Sequence, residues 1–153
     1  MRNFLIRLLA TFFYVGYLPL IPGTFGSLAG ILIFYLIKGN PLTYLLVTLI
    51  LIVLGFASVG QAERLMQTKD PRYIVIDEVC GMLLSFLFIP YDIKLVIIGF
   101  LLFRILDTLK PYPAGSLERV RGSVGIMSDD IIAGLYTNII LQIVVRFISF
   151  KTS

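Results

Sequence analysis

Charge along this chain falls in short clusters, with long uncharged runs between them. Between Lys38 and Glu63 there are 24 uncharged residues, and within them lies Leu42 to Ser58, LTYLLVTLILIVLGFAS. At about 1.5 Å per residue, a helix of that length crosses most of a bilayer. Ahead of it Phe25 to Ile37 is apolar but shorter, and Leu18 to Gly23, with two prolines, separates it from Phe4 to Tyr17. Arg7 interrupts that first segment, which is predicted to lie in the interface or to re-enter rather than to span. Ile74 to Tyr91 and Ile93 to Leu109 are two further apolar stretches, and Pro90, Tyr91 and Asp92 between them predict a tight helical hairpin. A last helix is expected from Asp129 to Phe147 with Ser128 as its N-cap. The pattern therefore predicts an all-α fold: a polytopic membrane bundle of about four to five membrane helices, with residues 1–153 forming one membrane-embedded domain. No internal repeat or low-complexity segment interrupts it.

Composition strengthens the membrane reading, because 58% hydrophobic residues and a mean hydropathy of +0.96 exceed what a soluble domain carries. A net charge of +4 suits anionic lipid as well as nucleic acid. No basic stretch interleaved with aromatics is present to stack and neutralise a strand, so nucleic acid is excluded as a partner. The chain has no histidine and one cysteine. That removes disulfides, histidine-ligated zinc and histidine acid–base chemistry. A cysteine-phosphatase loop needs an arginine six positions after its cysteine, where Phe86 follows Cys80. Cys80 is read as a small buried apolar residue. Met1, Arg2 and Arg7 around an apolar run look like a signal peptide, but no cleavage site follows, and the segment is expected to be retained.

Counting basic residues orients the bundle. With the N-terminus inside, Arg2, Arg7, Arg64, Lys69, Arg72, Arg104, Lys110, Arg119 and Arg121 are cytoplasmic, against Lys38, Lys94, Arg146 and Lys151 outside. The same arrangement puts every acidic residue except Asp92 on the cytoplasmic side. Asp77 and Glu78 fall in the first turn of one hairpin helix while Arg104 and Asp107 fall in the last turns of the other, so an antiparallel hairpin brings all four together. Asp129 and Asp130 join them from the last helix. One charged residue near a membrane helix centre costs about 2.5 to 3.5 kcal/mol, less near the ends. Clustered carboxylates repel unless they are protonated, paired or bridged by a cation. A bound divalent metal is the economical explanation, and with carboxylates alone as ligands Mg²⁺ is expected, Mn²⁺ being able to substitute.

The competing reading is that these groups cap helices and pair with Arg104, Lys110 and Arg119. Asp107 fits it poorly, since it lies near a helix C-terminus. Small and polar residues continue from the charges at helical spacing, through Asp77, Gly81 and Ser85 and through Asp130, Gly134 and Asn138. Close helix packing is the favoured reading of such stripes, and a polar cleft is the other. Pro22 to Ser27 (PGTFGS) can place backbone N–H groups at a helix start that attracts phosphate, or be only a turn. The Lys110 to Pro113 loop and the stretch holding Arg119, Arg121, Gly122 and Gly125 add cations and glycines beside the carboxylates.

These segments resemble one family: PGTFGS from Pro22, Ile74 to Glu78 (IVIDE) with Gly81, Phe103 to Asp107 (FRILD) with Lys110, Pro111 and Pro113, and Gly125 to Asp130 (GIMSDD) with Ala133 and Gly134. Together, with Asp70-Pro71, they are similar to phosphatidylglycerophosphatase A. The resemblance implies a bacterial cytoplasmic-membrane enzyme that hydrolyses phosphatidylglycerophosphate to phosphatidylglycerol and inorganic phosphate with Mg²⁺, its site facing the cytoplasm. It implies catalytic roles for Asp77, Asp107 and Asp130, metal ligation by Asp77, Glu78, Asp107, Asp129 and Asp130, and phosphate contacts by Thr24, Arg104 and Lys110. Water is the expected nucleophile, since no D-x-D pair of the kind that forms an aspartyl-phosphate occurs. A CDP-alcohol phosphotransferase is the alternative from related chemistry, although its D-x-x-D-G-x-x-A-R pattern is missing. A small carboxylate-lined transporter is the alternative from another class, although the carboxylates gather at one membrane face.

Overall fold

A computed structural model describes residues 1–117 and 120–151, with side chains through residue 147. The fold is all-α: α1 (Arg2–Ala10), a short 3-10 turn (Val15–Tyr17), α2 (Pro22–Ile37), α3 (Pro41–Met66), α4 (Ile76–Ser85), α5 (Ile93–Leu109), α6 (Ala114–Leu117) and α7 (Ser123–Lys151), with no strand among the described residues. Two helices are long and apolar enough to cross a membrane, α3 and the Ser123–Phe147 part of α7. Exposed faces of α3 (Leu46, Leu49, Ile50, Val53) and α5 (Ile97, Ile98, Leu101, Ile105) are apolar. Hydrocarbon suits such a surface better than water does, and the chain is a membrane protein in this sense.

Local chemistry explains several helix starts. Asn40 accepts hydrogen bonds from the Leu42 and Thr43 N–H groups, and Pro41 fills the first helical position, so α3 begins there. Asp92 caps α5 in the same way through Lys94 and Leu95. The expected hairpin thus turns at Pro90 to Asp92. At nine residues α1 spans about 14 Å, too short to cross a bilayer core of about 30 Å. Its end is tied inward, as the Val75 N–H donates to the Ala10 carbonyl.

The first helix ends at Ala10, before Tyr17, α2 starts at Pro22, ahead of Phe25, and α3 runs on to Met66, past Ser58. Two further boundaries differ from expectation through contacts with distant residues. α4 stops at Ser85 instead of continuing to Tyr91. Phe88 turns to φ 59°, and Pro90 pushes Ile89 out of the helical region. The carbonyls this releases are taken by α7: Asn138 donates to Ser85 (3.1 Å) and Leu87 (2.8 Å), and Gln142 donates to Leu87 (3.2 Å). Unsatisfied carbonyls in an apolar interior cost several kcal/mol, and these side chains remove that cost. α7 in turn begins at Ser123, so Ser128 lies inside the helix and is not its N-cap. Gly122 takes φ +81° and its N–H donates to Glu63 Oε2 at 2.9 Å, while Ser123 Oγ accepts from the Gly60 N–H at 2.8 Å. The start of α7 is therefore fastened to α3.

α4 is the central post, enclosed by α2, α3, α5 and α7. Ile76, Val79, Cys80, Met82 and Leu83 are fully buried, and Cys80 is the small buried residue expected. The small-residue stripes serve packing. A side chain at Gly134 would overlap the Gly81 carbonyl, and one at Gly81 would meet the Asp130 carbonyl and the Phe103 ring, each at 2.6 Å. Close approach of α4 and α7 sets the distance between the carboxylates each carries. At the other end of the post, the Tyr44 hydroxyl donates to the Leu83 carbonyl (2.6 Å) and Phe34 stacks on Phe86 at 4.8 Å.

Candidate active site

One end of the bundle holds a pocket of about 390 Å³ into which four helix ends converge. α2 supplies Gly23 and Thr24 from its first turn, and α4 supplies Asp77 and Glu78 from its own. Arg104 and Asp107 come from the last turns of α5, with Lys110 at its C-cap, and Asp129 and Asp130 come from the second turn of α7. Every site residue expected from sequence lines this one pocket.

The carboxylates form two groups whose oxygens lie within 4.8 Å of one another: Asp77, Glu78 and Asp130, and Asp107, Asp129 and Asp130. Asp130 belongs to both. Asp77 is 5% exposed and Asp130 4%. Two cations touch the cluster, Arg104 Nη1 at 2.9 Å from Asp107 Oδ2 and Lys110 Nζ at 2.9 Å from Asp129 Oδ2. The Arg104 pair is close in distance, yet the N–H directions of Nη1 make no hydrogen bond. Glu78 Oε2, Asp129 Oδ1 and Asp130 Oδ1 are likewise buried without a hydrogen-bond partner. Desolvation and mutual repulsion both penalise this much negative charge.

Helix capping accounts for little of the arrangement. Asp77 and Glu78 do occupy a first turn, but the first turn of α7 holds no acidic residue, and Asp107 stands at the unfavourable C-terminal end of α5. Hard oxygen ligands from three helices, with buried unpartnered oxygens on Glu78, Asp129 and Asp130, fit a divalent cation such as Mg²⁺. The glycine of the PGTFGS turn has a steric role, since a side chain at Gly23 would collide with Glu78 Oε1. In that turn the Thr24 and Phe25 N–H groups are already taken by the Ile21 carbonyl, at 3.1 and 3.3 Å. The helix start therefore offers less amide surface than the motif suggests, and Thr24 meets the pocket beside Gly23.

Sequence reasoning missed part of the wall. Asp70 and Arg72, from the α3–α4 connection, line the pocket together with Leu20, Ile21 and Ile126. Asp70-Pro71 belonged to the motif pattern, but nothing marked Arg72 apart from neighbouring surface cations. Arg121 and Gly122 line a different hollow with Glu63, Arg64 and Lys69. Glu118 and Arg119 lie outside the described residues.

Residues 8–145 match the family model described as phosphatidylglycerophosphatase A. The chain is 41% identical to phosphatidylglycerophosphatase A of Escherichia coli, over 90% of this chain and 82% of that protein. It is 32% identical to the Haemophilus influenzae protein of the same name, over 89% and 86%. A Bacteroides thetaiotaomicron protein provisionally named phosphatidylinositol-3-phosphatase is 34% identical over 92% and 94%. No solved structure gives a significant match. The matched span takes in every segment that supplies a carboxylate or cation to the pocket, and the chain belongs to the phosphatidylglycerophosphatase A family.

Proposed function

We propose that this chain hydrolyses phosphatidylglycerophosphate to phosphatidylglycerol and inorganic phosphate in phospholipid synthesis, with Mg²⁺ held by Asp77, Glu78, Asp107, Asp129 and Asp130. The observation that carries the reading is the pocket itself: six carboxylates and three cations line it at one end of a bundle with apolar outer faces. Such a pocket suits a phosphorylated lipid headgroup whose tails stay in hydrocarbon. With α2, α4 and α5 added to the two long helices, four to five segments would enter the bilayer. The basic-residue count favours a cytoplasmic pocket in a bacterial inner membrane.

When bound, Mg²⁺ would polarise the phosphoryl oxygens and offset the carboxylate charge. Arg104 and Lys110 would offset charge on the transferring phosphoryl group, and Thr24 would contact it from α2. Water attacks phosphorus, the P–O bond to the glycerol carbon's oxygen breaks, and the departing alcohol oxygen takes a proton. Asp77, Asp107 and Asp130 are the groups able to accept the proton that water gives up. The gathering of the carboxylates at one end of the bundle, not midway along it, favours this reading over transport.

The test is phosphate release from phosphatidylglycerophosphate by purified protein in detergent, with chelator and metal add-back. Activity should vanish on chelation and return with Mg²⁺; full turnover after exhaustive chelation refutes the metal. Phosphatidylinositol 3-phosphate belongs in the same assay, given the name of the Bacteroides relative. Faster release from it than from phosphatidylglycerophosphate would reassign the substrate.

A further inference from the structure

Phosphatidylglycerophosphate carries two phosphates, a terminal monoester and a diester three carbons nearer the acyl chains. The pocket is lined by three cations, and two of them lie 2.9 Å from its carboxylates: Arg104 from Asp107 and Lys110 from Asp129. The third, Arg72, is exposed at the rim, its Nη2 donating to the Leu20 carbonyl at 3.5 Å. Leu20 and Ile21 continue the same rim and are strongly exposed apolar residues, Leu20 at 85%.

Exposure along the wall rises from the buried Asp77 and Asp130, through the partly exposed Arg104 and Lys110, to the exposed Arg72, Leu20 and Ile21. The order along the lipid is phosphomonoester, glycerol, phosphodiester, acyl chains. We infer that Arg72 binds the phosphodiester of the substrate and so selects lipids that carry a second phosphate on the acyl side of the scissile one. This rests on the pocket being a phosphatidylglycerophosphate site. A guanidinium fork suits a phosphodiester's two free oxygens better than an ammonium does.

The rim is a built structure. Tyr17 stacks on Tyr73 at 4.9 Å beside Arg72, and Gly16 lies so close to the Tyr73 carbonyl that any side chain there would overlap it. These contacts join the segment before α2 to the α3–α4 connection, which holds Arg72 and Leu20 side by side. The first twenty residues, which carry none of the motif segments, thereby supply Leu20 to the rim.

The experiment compares wild type, Arg72→Gln and Arg72→Lys in mixed micelles with Mg²⁺, using phosphatidylglycerol and inorganic phosphate as inhibitors. Phosphatidylglycerol carries only the diester, and inorganic phosphate mimics only the monoester. In Arg72→Gln the inhibition constant for phosphatidylglycerol should rise about tenfold, the loss of one charge-assisted hydrogen-bonding group. The constant for phosphate should hold, and KM should rise with kcat little changed. Arg72→Lys should recover part of the loss. An unchanged phosphatidylglycerol constant, or equal weakening of both inhibitors, overturns the inference. Absence of phosphate release by wild type would instead sink the assigned reaction. The thermal shift given by phosphatidylglycerol to wild type and Arg72→Gln then decides Arg72 without turnover, equal shifts counting against it.

Discussion

Asp130 is the carboxylate common to both ligand groups, buried, with Oδ1 unpartnered. Asp130→Asn keeps the shape and removes the charge, so it should lower phosphate release by about 100-fold or more. Without metal its thermal unfolding should match or exceed that of wild type, since one repelling charge has gone. Its gain in stability from Mg²⁺ should be smaller than wild type's, by mass action on a weakened site. Asp92→Asn is the control, a carboxylate at the far end whose capping role Asn fulfils equally. Equal turnover in Asp130→Asn and wild type would remove the site. The carboxylates were legible in sequence because charge beside apolar runs is costly and stands out. Arg72 was not, because it sits in a polar connection where a pocket cation and a solvated one look alike.

At the scale of elements, what the sequence pattern misplaced was fixed by partners far along the chain. Pro90 and Asp92 announce the hairpin, and α5 begins and ends where its pattern does. The end of α4 depends on Asn138 and Gln142, and the start of α7 depends on Glu63 and Gly60, none of them a neighbour in sequence. The Gly81–Gly134 crossing is the element-scale feature most open to test. Gly134→Ala places a methyl against the Gly81 carbonyl, and backbone cannot swing aside as a flexible side chain can. A loss of about 1–3 kcal/mol in detergent stability is expected. Activity should fall with it, because Asp77 and Asp130 ride on the two helices being forced apart. Unchanged stability would mean the crossing is looser than these contacts require.

The molecule as a whole has two unlike ends. One gathers the carboxylates; at the other, Lys38 Nζ lies 3.3 Å from the centre of the Tyr91 ring and 4.0 Å from that of Tyr35, joining α2 to the hairpin turn. Orientation is tested there, since a side chain at Gly39 would stand in open space and Cys80 is buried and silent. Gly39→Cys should be labelled by an impermeant reagent added to intact cells, after the outer membrane is made permeable. Cysteine at Arg121 should react only once the inner membrane is opened. The reverse pattern would invert the bundle and put the pocket outside.

Leu20, bare on the pocket rim, has a consequence for how substrate arrives. A lipid that threads its headgroup past this residue never leaves the hydrocarbon sheet, so encounter is a search in two dimensions. The quantity that governs saturation is then the substrate's mole fraction among neighbouring lipids, not its amount per litre. Any diluent lipid or detergent slows the enzyme by spacing substrate molecules apart, even when it touches nothing in the pocket.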